Sequence, residues 1–350
     1  MISYRLATAD DNEQLIQLTN SLGMMGDTGL RIDRHPNFFA LLEMRGESKV
    51  FVAVESTKIV GCICVSHQQV YVAGKAIPLN YIGDFKVAAE FRNKGIGLQL
   101  CNQLADYLLS LDADLAFLNV SKGNTKPLSF FKDRPNIPDY ENIGTFVIHQ
   151  FIGKRTKLFH SGYHVEPHAV TPELLEFFNR QHKGYALGNV ITKEKLEQTD
   201  VYAICKNNKI LGAMCLVDTM PVKQNVVTKL PFRMRLLLGM INALHGISGI
   251  SRMPVLNQPV KMMYIRYLAV EDTASPLAQL LVHHAANIVY DKGYSFVSLG
   301  LHEKDPLHPA FKGLQKLSFY SVGMLLSIKD NKHLVATIRE GIPFEDYSLV

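Results

Sequence analysis

The chain has no Pro-rich or Ser-rich tract, no massed run of one charge and only five cysteines, and each shortage removes a class of protein. Disordered segments combine low hydrophobicity with high net charge, whereas this sequence is 47% hydrophobic and 20% charged, so all of it is expected to fold. The formal charge is +5 and the basic residues are dispersed rather than striped, so nucleic-acid binding is not indicated. Cys62, Cys64, Cys101, Cys205 and Cys215 are odd in number, and each sits in an apolar run where a small hydrophobe would serve. Buried reduced thiols are expected, without disulfides. Cys62 and Cys64 share a face of an expected strand, but no further metal ligands follow them. The opening M-I-S-Y-R-L-A-T-A-D-D has no basic segment leading into an apolar run. No secretory leader is read there, and a cytoplasmic location is expected.

At 350 residues the chain exceeds one ordinary core and suits two domains. Its halves match in order. Val50–Val65 is echoed by Val201–Val217, with Lys58-Ile59-Val60-Gly61 recurring as Lys209-Ile210-Leu211-Gly212, and each reads as a β-hairpin. Tyr4–Leu18, a strand and then a helix opened by Asp10 and Asp11, corresponds to Tyr163–Phe178, where Thr171-Pro172-Glu173 opens the helix. Tyr81–Val87 resembles Tyr264–Val270, and each leads to a long helix and a further strand, Leu115–Val120 or Phe296–Leu301. The first of these helices carries an apolar stripe of Ile96, Leu100, Leu104, Leu108 and Leu111; the second runs from about Leu277 to Tyr290. Polar, glycine-bounded Gly153–Gly162 reads as a linker. The expected class is α+β (mixed α/β), with units 1–155 and 156–350 each built on a mixed, mostly antiparallel sheet flanked by helices.

Pro221–Pro259 has no counterpart in the first half and reads as an insert at 220–260. Its apolar part, between Arg235 and Arg252, includes Asn242 and His245 and falls short of a membrane span of about 20 residues. A buried or partner-facing helix is expected, with membrane-surface contact the lesser alternative.

The most informative stretch is Phe85–Gly97, F-K-V-A-A-E-F-R-N-K-G-I-G. Arg92, Asn93, Lys94, Gly95, Ile96 and Gly97 make a basic, glycine-bearing loop that opens a helix, which offers backbone N–H groups and a helix dipole to phosphate. Glycine permits close approach and the left-handed dihedrals that aim successive amides inward. A pyrophosphate is the expected guest. The second half has E-D-T-A-S-P-L at this place, with two acids and no glycine, which would repel phosphate. A dinucleotide fingerprint is excluded, because position 100 is Leu and the motif follows a hairpin rather than a first strand.

Arg-x-x-Gly-x-Gly at the end of a fourth strand resembles the acyl-CoA-binding signature of the GNAT N-acetyltransferase superfamily, and the weaker second copy resembles a tandem arrangement with a degenerate C-terminal half. The resemblance implies acetyl-CoA (coenzyme A) as cofactor and a primary amine of a small molecule or peptide as acceptor. Phe85, Lys86 and Val87 would bind the pantetheine arm through the backbone, and Arg92 to Gly97 the pyrophosphate. After the fifth strand the family shows Asn-x-x-Ala-x-x-(Phe/Leu)-Tyr-x-Lys-x-Gly-Phe; here stand Asn124, Pro127, Phe130, Phe131, Lys132 and Asp133-Arg134-Pro135. Asn124, Phe131 and Lys132 are thereby assigned to the cofactor, while Lys122 and Lys126 are expected to be solvated.

Phe131 replaces the tyrosine that commonly protonates the leaving thiolate, and a phenylalanine cannot give a proton. Tyr140 is the nearby substitute, and a thiol pKa of about 8.5 makes such an acid helpful rather than indispensable. For the base the fourth strand offers Asp84 and Tyr81, which a period of two places on opposite faces. Asn119 stands where some GNAT proteins have a glutamate. Asp84 is the expected base, directly or through a water; the alternatives are that it pairs with Lys86 or Arg92 and that Tyr81 simply packs. Three functions remain open: an N-acetyltransferase, a non-catalytic acyl-CoA-binding module, and an acyltransferase with a longer donor. Acceptor selection is expected in Asn20–Phe39, with Met24-Met25-Gly26-Asp27 as an adaptable lip, and in the cleft between the halves. The oligomeric state is left open.

Overall fold

The computed structural model describes residues 1–23, 29–111, 113–124, 140–156, 162–329 and 331–350. The first half runs β1 (Ile2–Leu6), α1 (Asn12–Ser21), β2 (Gly29–Asp33), α2 (Ala40–Arg45), β3 (Ser48–Glu55), β4 (Lys58–Val72), β5 (Lys75–Val87), α3 (Ile96–Ser110), β6 (Leu115–Ser121) and β7 (Tyr140–Ile152). The second runs β8 (Glu166–Pro167), α4 (Pro172–His182), β9 (Gly188–Asn189), α5 (Lys193–Glu197), β10 (Asp200–Lys206), β11 (Lys209–Asp218), β12 (Gln224–Lys229) and α6 (Phe232–Ser248). It ends with β13 (Met262–Val270), α7 (Leu277–Asp291), β14 (Phe296–His302), β15 (Lys316–Ser327) and α8 (Lys332–Glu340).

One mixed, mostly antiparallel sheet carries both halves in the order β1-β3-β4-β5-β6-β15-β7-β14-β13-β11-β10-β8, with β9 on β4. Among the described strands only β5–β6 and β13–β14 pair in parallel. The order reads the same from either edge, except that the halves exchange a strand at the centre. β15 lies between β6 and β7, pairing Val322 with Val120 and with Thr145, while β7 pairs His149 with Leu299 of β14. Separating the halves would tear ladders on both sides of β15 and β7. The start of the expected linker is held too, since Gly153 donates to Ser295 O at 2.9 Å and accepts from Ser251 N at 2.8 Å.

Helix α3 turns Ile96, Leu100, Cys101, Leu104 and Leu108 onto the sheet, but Leu111 lies past its end and is exposed. On α4, Thr171 caps the helix by accepting from Leu174 N at 3.2 Å, with Pro172 in the first turn, so that Leu174, Phe177 and Phe178 are buried. Every residue of β13 is buried, because α7 covers one face and α4 and the C-terminal segment the other. Four cysteines are buried; Cys205, at a register shift in the β10–β11 hairpin, is exposed, against expectation.

Both parallel pairs are brief. β13 and β14 pair from Met262–Phe296 to Tyr264–Ser298 and then part, and residues 344–347 line the gap with Ile265–Leu268 and Leu299–Leu301. Arg266 Nε donates to Asp346 Oδ2 at 2.6 Å there, and a Cβ on Gly300 would stand 2.1 Å from the Tyr347 ring. Gly300→Val should therefore lower stability by about 1–3 kcal/mol and raise hydrogen exchange over residues 344–349. Unchanged protection in that segment would show that it does not wedge the strands.

Candidate active site

The site begins where β5 leaves β6. These strands pair only at Asn80–Ala116 and Tyr81–Phe117, so beyond Tyr81 the β6-facing edge of β5 has no strand beside it among the described residues. On its other edge β5 is bulged: Cys64 pairs with Gly83 and Cys62 with Lys86, so Ile63 opposes both Asp84 and Phe85. Asp84 takes the left-handed φ of 46° that lets the extra residue fit. The bulge resets the alternation of side chains. Ile82, Phe85 and Val87 all meet the core beneath α3, although 82 and 85 differ by an odd number. Asp84 and Lys86 are thereby turned to the side of Tyr81, which corrects the expected opposition of Tyr81 and Asp84. The second half repeats the device, with Met214 opposing Tyr267 and Leu268 and Tyr267 at φ 52°.

The loop after β5 carries Arg92, Asn93, Lys94 and Gly95 into solvent. Asn93 (φ 62°) and Gly95 (φ 79°) are left-handed, and Gly95 caps α3 with no side chain bonded to the helix and no acid in its first turn. Gln99 N donates to Gly95 O at 3.1 Å, so the preceding amides have no acceptor inside the helix. Around Gly95 a Cβ would meet nothing within 4 Å, so glycine serves here for its dihedral rather than for room against the protein. The matching loop of the second half is closed. Asp272 Oδ1 accepts from Ala274 N at 2.9 Å, Ser275 Oγ donates to Asp272 O at 2.5 Å, and Pro276 precedes α7.

Asp84 heads a buried charge cluster assembled from segments far apart in sequence. Its carboxylate pairs with Arg34 at 2.5 Å and with Lys86. Burial alone would raise its pKa, yet Arg34 and Lys86 outweigh that and hold it at about 2. Such a carboxylate binds cations well and protons poorly, so the reading of Asp84 as base gives way to an anchoring role. Next to it the Arg45 guanidinium lies 3.6 Å over the Tyr81 ring and pairs with Glu345 at 2.8 Å. Burial pushes Glu345 up, against the pull of Arg45, and pushes the Tyr81 phenol well above its usual range. Lys223 Nζ donates to Ser348 O (3.2 Å) and Val350 O (2.7 Å); burial, with Arg34 and Arg45 adding, pushes it down to about 7. Tyr347 donates to Asn119 Oδ1 at 3.1 Å and bonds Ser321. Arg34 Nε and Nη1 and Asn119 Nδ2 are buried without a hydrogen-bond partner, donors in reserve for an oxygen-bearing guest. Cys62 Sγ donates to Asp84 O at 3.2 Å, and burial pushes this thiol up to about 12, so it offers no thiolate nucleophile.

Tyr81, Asp84, Phe85, Lys86 and Val87 are thus gathered at the parting of the strands, with Arg92 to Gly97 just beyond. Arg92 Nε donates to Val87 O at 3.3 Å, tying the loop to the strand end. Tyr140 opens β7 opposite Leu326, which pairs with Ala116 and through it with Asn80, so it lies three strands from β5 and behind the parting; this corrects its expected place as the substitute acid. Asn124 is exposed in the turn after β6, with its N donating to Ser121 O at 3.0 Å. Lys122 lies 5.5 Å over the Tyr320 ring. Phe131, Lys132, Lys126 and the Met24–Asp27 lip lie outside the described residues. Sequence reasoning missed Arg34, Arg45, Lys223, Glu345 and Tyr347, which belong to no motif and meet only through the tertiary fold.

Residues 5–134 match the model of the Acetyltransferase (GNAT) family. Among solved structures the chain is similar to a GCN5-related N-acetyltransferase from Anabaena variabilis (TM-score 0.56, 13% identity, covering 94% of this chain and 73% of that one). It is similar also to Saccharomyces cerevisiae N-myristoyltransferase with bound myristoyl-CoA (TM-score 0.60, 14% identity, 93% and 79% covered). A probable N-acyltransferase from Enterococcus faecalis aligns with TM-score 0.55 at 9% identity, over 94% of this chain and 73% of that one. At these identities the likeness is one of fold. No curated protein matches the chain.

The depressed Asp84 carboxyl contributes stability above its ordinary range near 3.8 that is lost as pH falls toward about 2. Asp84→Asn should cost about 2 kcal/mol or more near neutrality, with the gap to wild type shrinking between those two values in denaturant titrations. A gap independent of pH would contradict the ion-pair account.

Proposed function

We propose that this chain, whose residues 5–134 match the GNAT acetyltransferase family model, is an acyl-CoA-dependent N-acyltransferase that moves an acetyl group from acetyl-CoA to a primary amine. The observation that carries the reading is the coincidence, in the first half alone, of an open strand parting and an uncapped helix start behind a left-handed basic loop. Both features suit a long thiol arm ending in a diphosphate. On this reading residues 1–155 carry the donor site. Residues 156–350 form a degenerate second copy that shapes the acceptor cleft.

In the proposed mechanism Arg92, Asn93, Lys94, Gly95, Ile96 and Gly97 bind the pyrophosphate, and Phe85, Lys86 and Val87 line the pantetheine arm with their backbone. The family resemblance assigns Asn124, Phe131 and Lys132 to the same cofactor. When bound, the thioester supplies an activated acyl carbon. The amine is to be held beside the charge cluster, where binding in one geometry removes the entropic cost of bringing two reactants together. Lys223, half neutral near pH 7, is the group suited to accept the proton of an incoming ammonium. Asp84 fixes Arg34 and Lys86 around it. The departing sulfur leaves as a thiolate, which a thiol pKa of about 8.5 makes accessible near neutrality, and takes its proton from solvent.

A carboxylate at position 95 would face the diphosphate and occupy a left-handed position. At an effective dielectric of 20 and 4 Å that repulsion is about 4 kcal/mol, so calorimetry on Gly95→Asp should show coenzyme A affinity reduced on the order of a hundredfold or more. Gly95→Asn, which tolerates left-handed dihedrals without charge, should lose far less. Equal binding by Gly95→Asp would remove the site. Thiol release from acetyl-CoA with a panel of amines tests turnover; binding without release would replace the enzyme by a binding module, and release only from longer acyl donors would replace the acetyl group.

Lys223→Met should flatten the rise of rate with pH around 7. The same substitution should flatten a rise in stability between about 7 and the ordinary lysine value near 10.5, because the unfolded chain binds the Lys223 proton more tightly than the folded one. An unchanged pH–rate profile would take the base role from Lys223.

A further inference from the structure

The insert at 220–260, within the second half, contains most of the exposed large apolar side chains of the described residues. Of the two expectations for helix α6 (Phe232–Ser248), burial within this chain is not what the structure shows. Leu238, Ile241, Asn242 and His245 turn toward the body, where Asn242 Nδ2 donates to Met253 O at 3.2 Å and its Oδ1 accepts from Met253 N at 2.6 Å. The opposite side is also apolar. Phe232, Leu236, Leu237, Met240 and Leu244 are exposed, and Ile247 keeps 91% of its surface in solvent. Spacings of three and four residues place Leu236, Leu237, Met240, Leu244 and Ile247 on one stripe.

Charge accompanies the stripe. From residue 219 to 270 the chain contains no Asp or Glu, while Lys229, Arg233, Arg235 and Arg252 flank or begin the helix. Two arginines in the first turns oppose the helix dipole, and neither has an ion pair among the described residues, so the fold itself gains nothing electrostatic from them. No described helix is long and apolar enough to cross a membrane. A basic helix with an unpartnered apolar stripe, too short to span, has the properties of one that lies in the headgroup plane.

We propose that α6 docks this protein on an anionic lipid bilayer, with the Leu236–Ile247 stripe among the acyl chains and Arg233, Arg235, Lys229 and Arg252 at the phosphates. A second copy of the chain fits the surface less well. An isologous dimer would bring two acid-free, basic stretches against each other with no counter-charge. Docking also has a geometric consequence. β12, which leads into α6, pairs with β2 from Gln224–Asp33 onward, and Lys223 and Arg34 at the ends of these two strands belong to the charge cluster. The bilayer would therefore lie beside the wall of the acceptor cleft.

The proposal does not depend on catalysis and is tested without cofactor. The full chain is sedimented with vesicles of phosphatidylcholine alone and of phosphatidylcholine and phosphatidylglycerol in equal parts. Pelleting with the mixed vesicles, weakened by salt, is expected. The bound fraction should fall about tenfold or more in Leu237→Asp/Met240→Asp and substantially in Arg233→Glu/Arg235→Glu, with thermal melts followed by circular dichroism showing both variants folded. No pelleting with anionic vesicles, or pelleting that both variants retain, would overturn it. So would a wild-type dimer in sedimentation velocity that Leu237→Asp/Met240→Asp converts to monomer, which would assign the stripe to self-association.

Discussion

A parallel ladder that stops after two residue pairs is the constraint from which the rest of this molecule follows. Past Tyr81, β4 is the one strand paired with β5 among the described residues, and the other edge of β5 faces no described strand. The bulge at Asp84 then decides what surrounds that edge, by directing Phe85 and Val87 into the core under α3 and the charges of Asp84 and Lys86 to the other face. The same parting occurs between β13 and β14, where the chain covers its own edge with Glu345 to Tyr347 and seals the adjoining helix start with Asp272 and Pro276. One copy is plugged, and among the described residues the other is open. The plug also delivers Glu345 and Tyr347 to the open side, to Arg45 and Asn119.

The charge cluster depends on the exchange of central strands. Arg34 and Arg45 come from the first half, Lys223, Glu345 and Asp346 from the second, and the shared sheet formed by β15 and β7 keeps them in register. Pairs such as Arg45–Glu345 and Arg266–Asp346 are buried on both sides, and the cost of desolvating them makes them weak contributors to stability. Breaking any one leaves an uncompensated charge, which makes the arrangement specific. Such clusters shift protonation equilibria toward neutrality, as burial does for Lys223, and that is the condition under which side chains exchange protons with a substrate.

Much of this was legible in the residues. Alternation marked the hairpins β3–β4 and β10–β11, the Ile96–Leu108 stripe marked α3, and the repeat of Tyr81–Val87 in Tyr264–Val270 marked two equivalent partings. The strand exchange was not legible, because β7 and β15 alternate like any half-buried strand and pairing across 170 or so residues leaves no local signal. The bulge was missed for a related reason: a single residue, Asp84, leaves the ladder, and every face assigned after it changes. Arg34, Arg45, Lys223 and Glu345 lie in segments with no shared spacing. In helix α6, apolar residues on all sides read as burial, and only the tertiary fold decides which side faces outward.

The central claim is that the open parting and the loop before α3 bind coenzyme A while their counterparts in the second half do not. Amide hydrogen exchange of the full chain, with and without saturating coenzyme A, reads both places at once. The account predicts slowed exchange across residues 85–87 and 93–98 and no change across residues 266–280. Exchange unaltered in both regions, or slowed in the second alone, would contradict it.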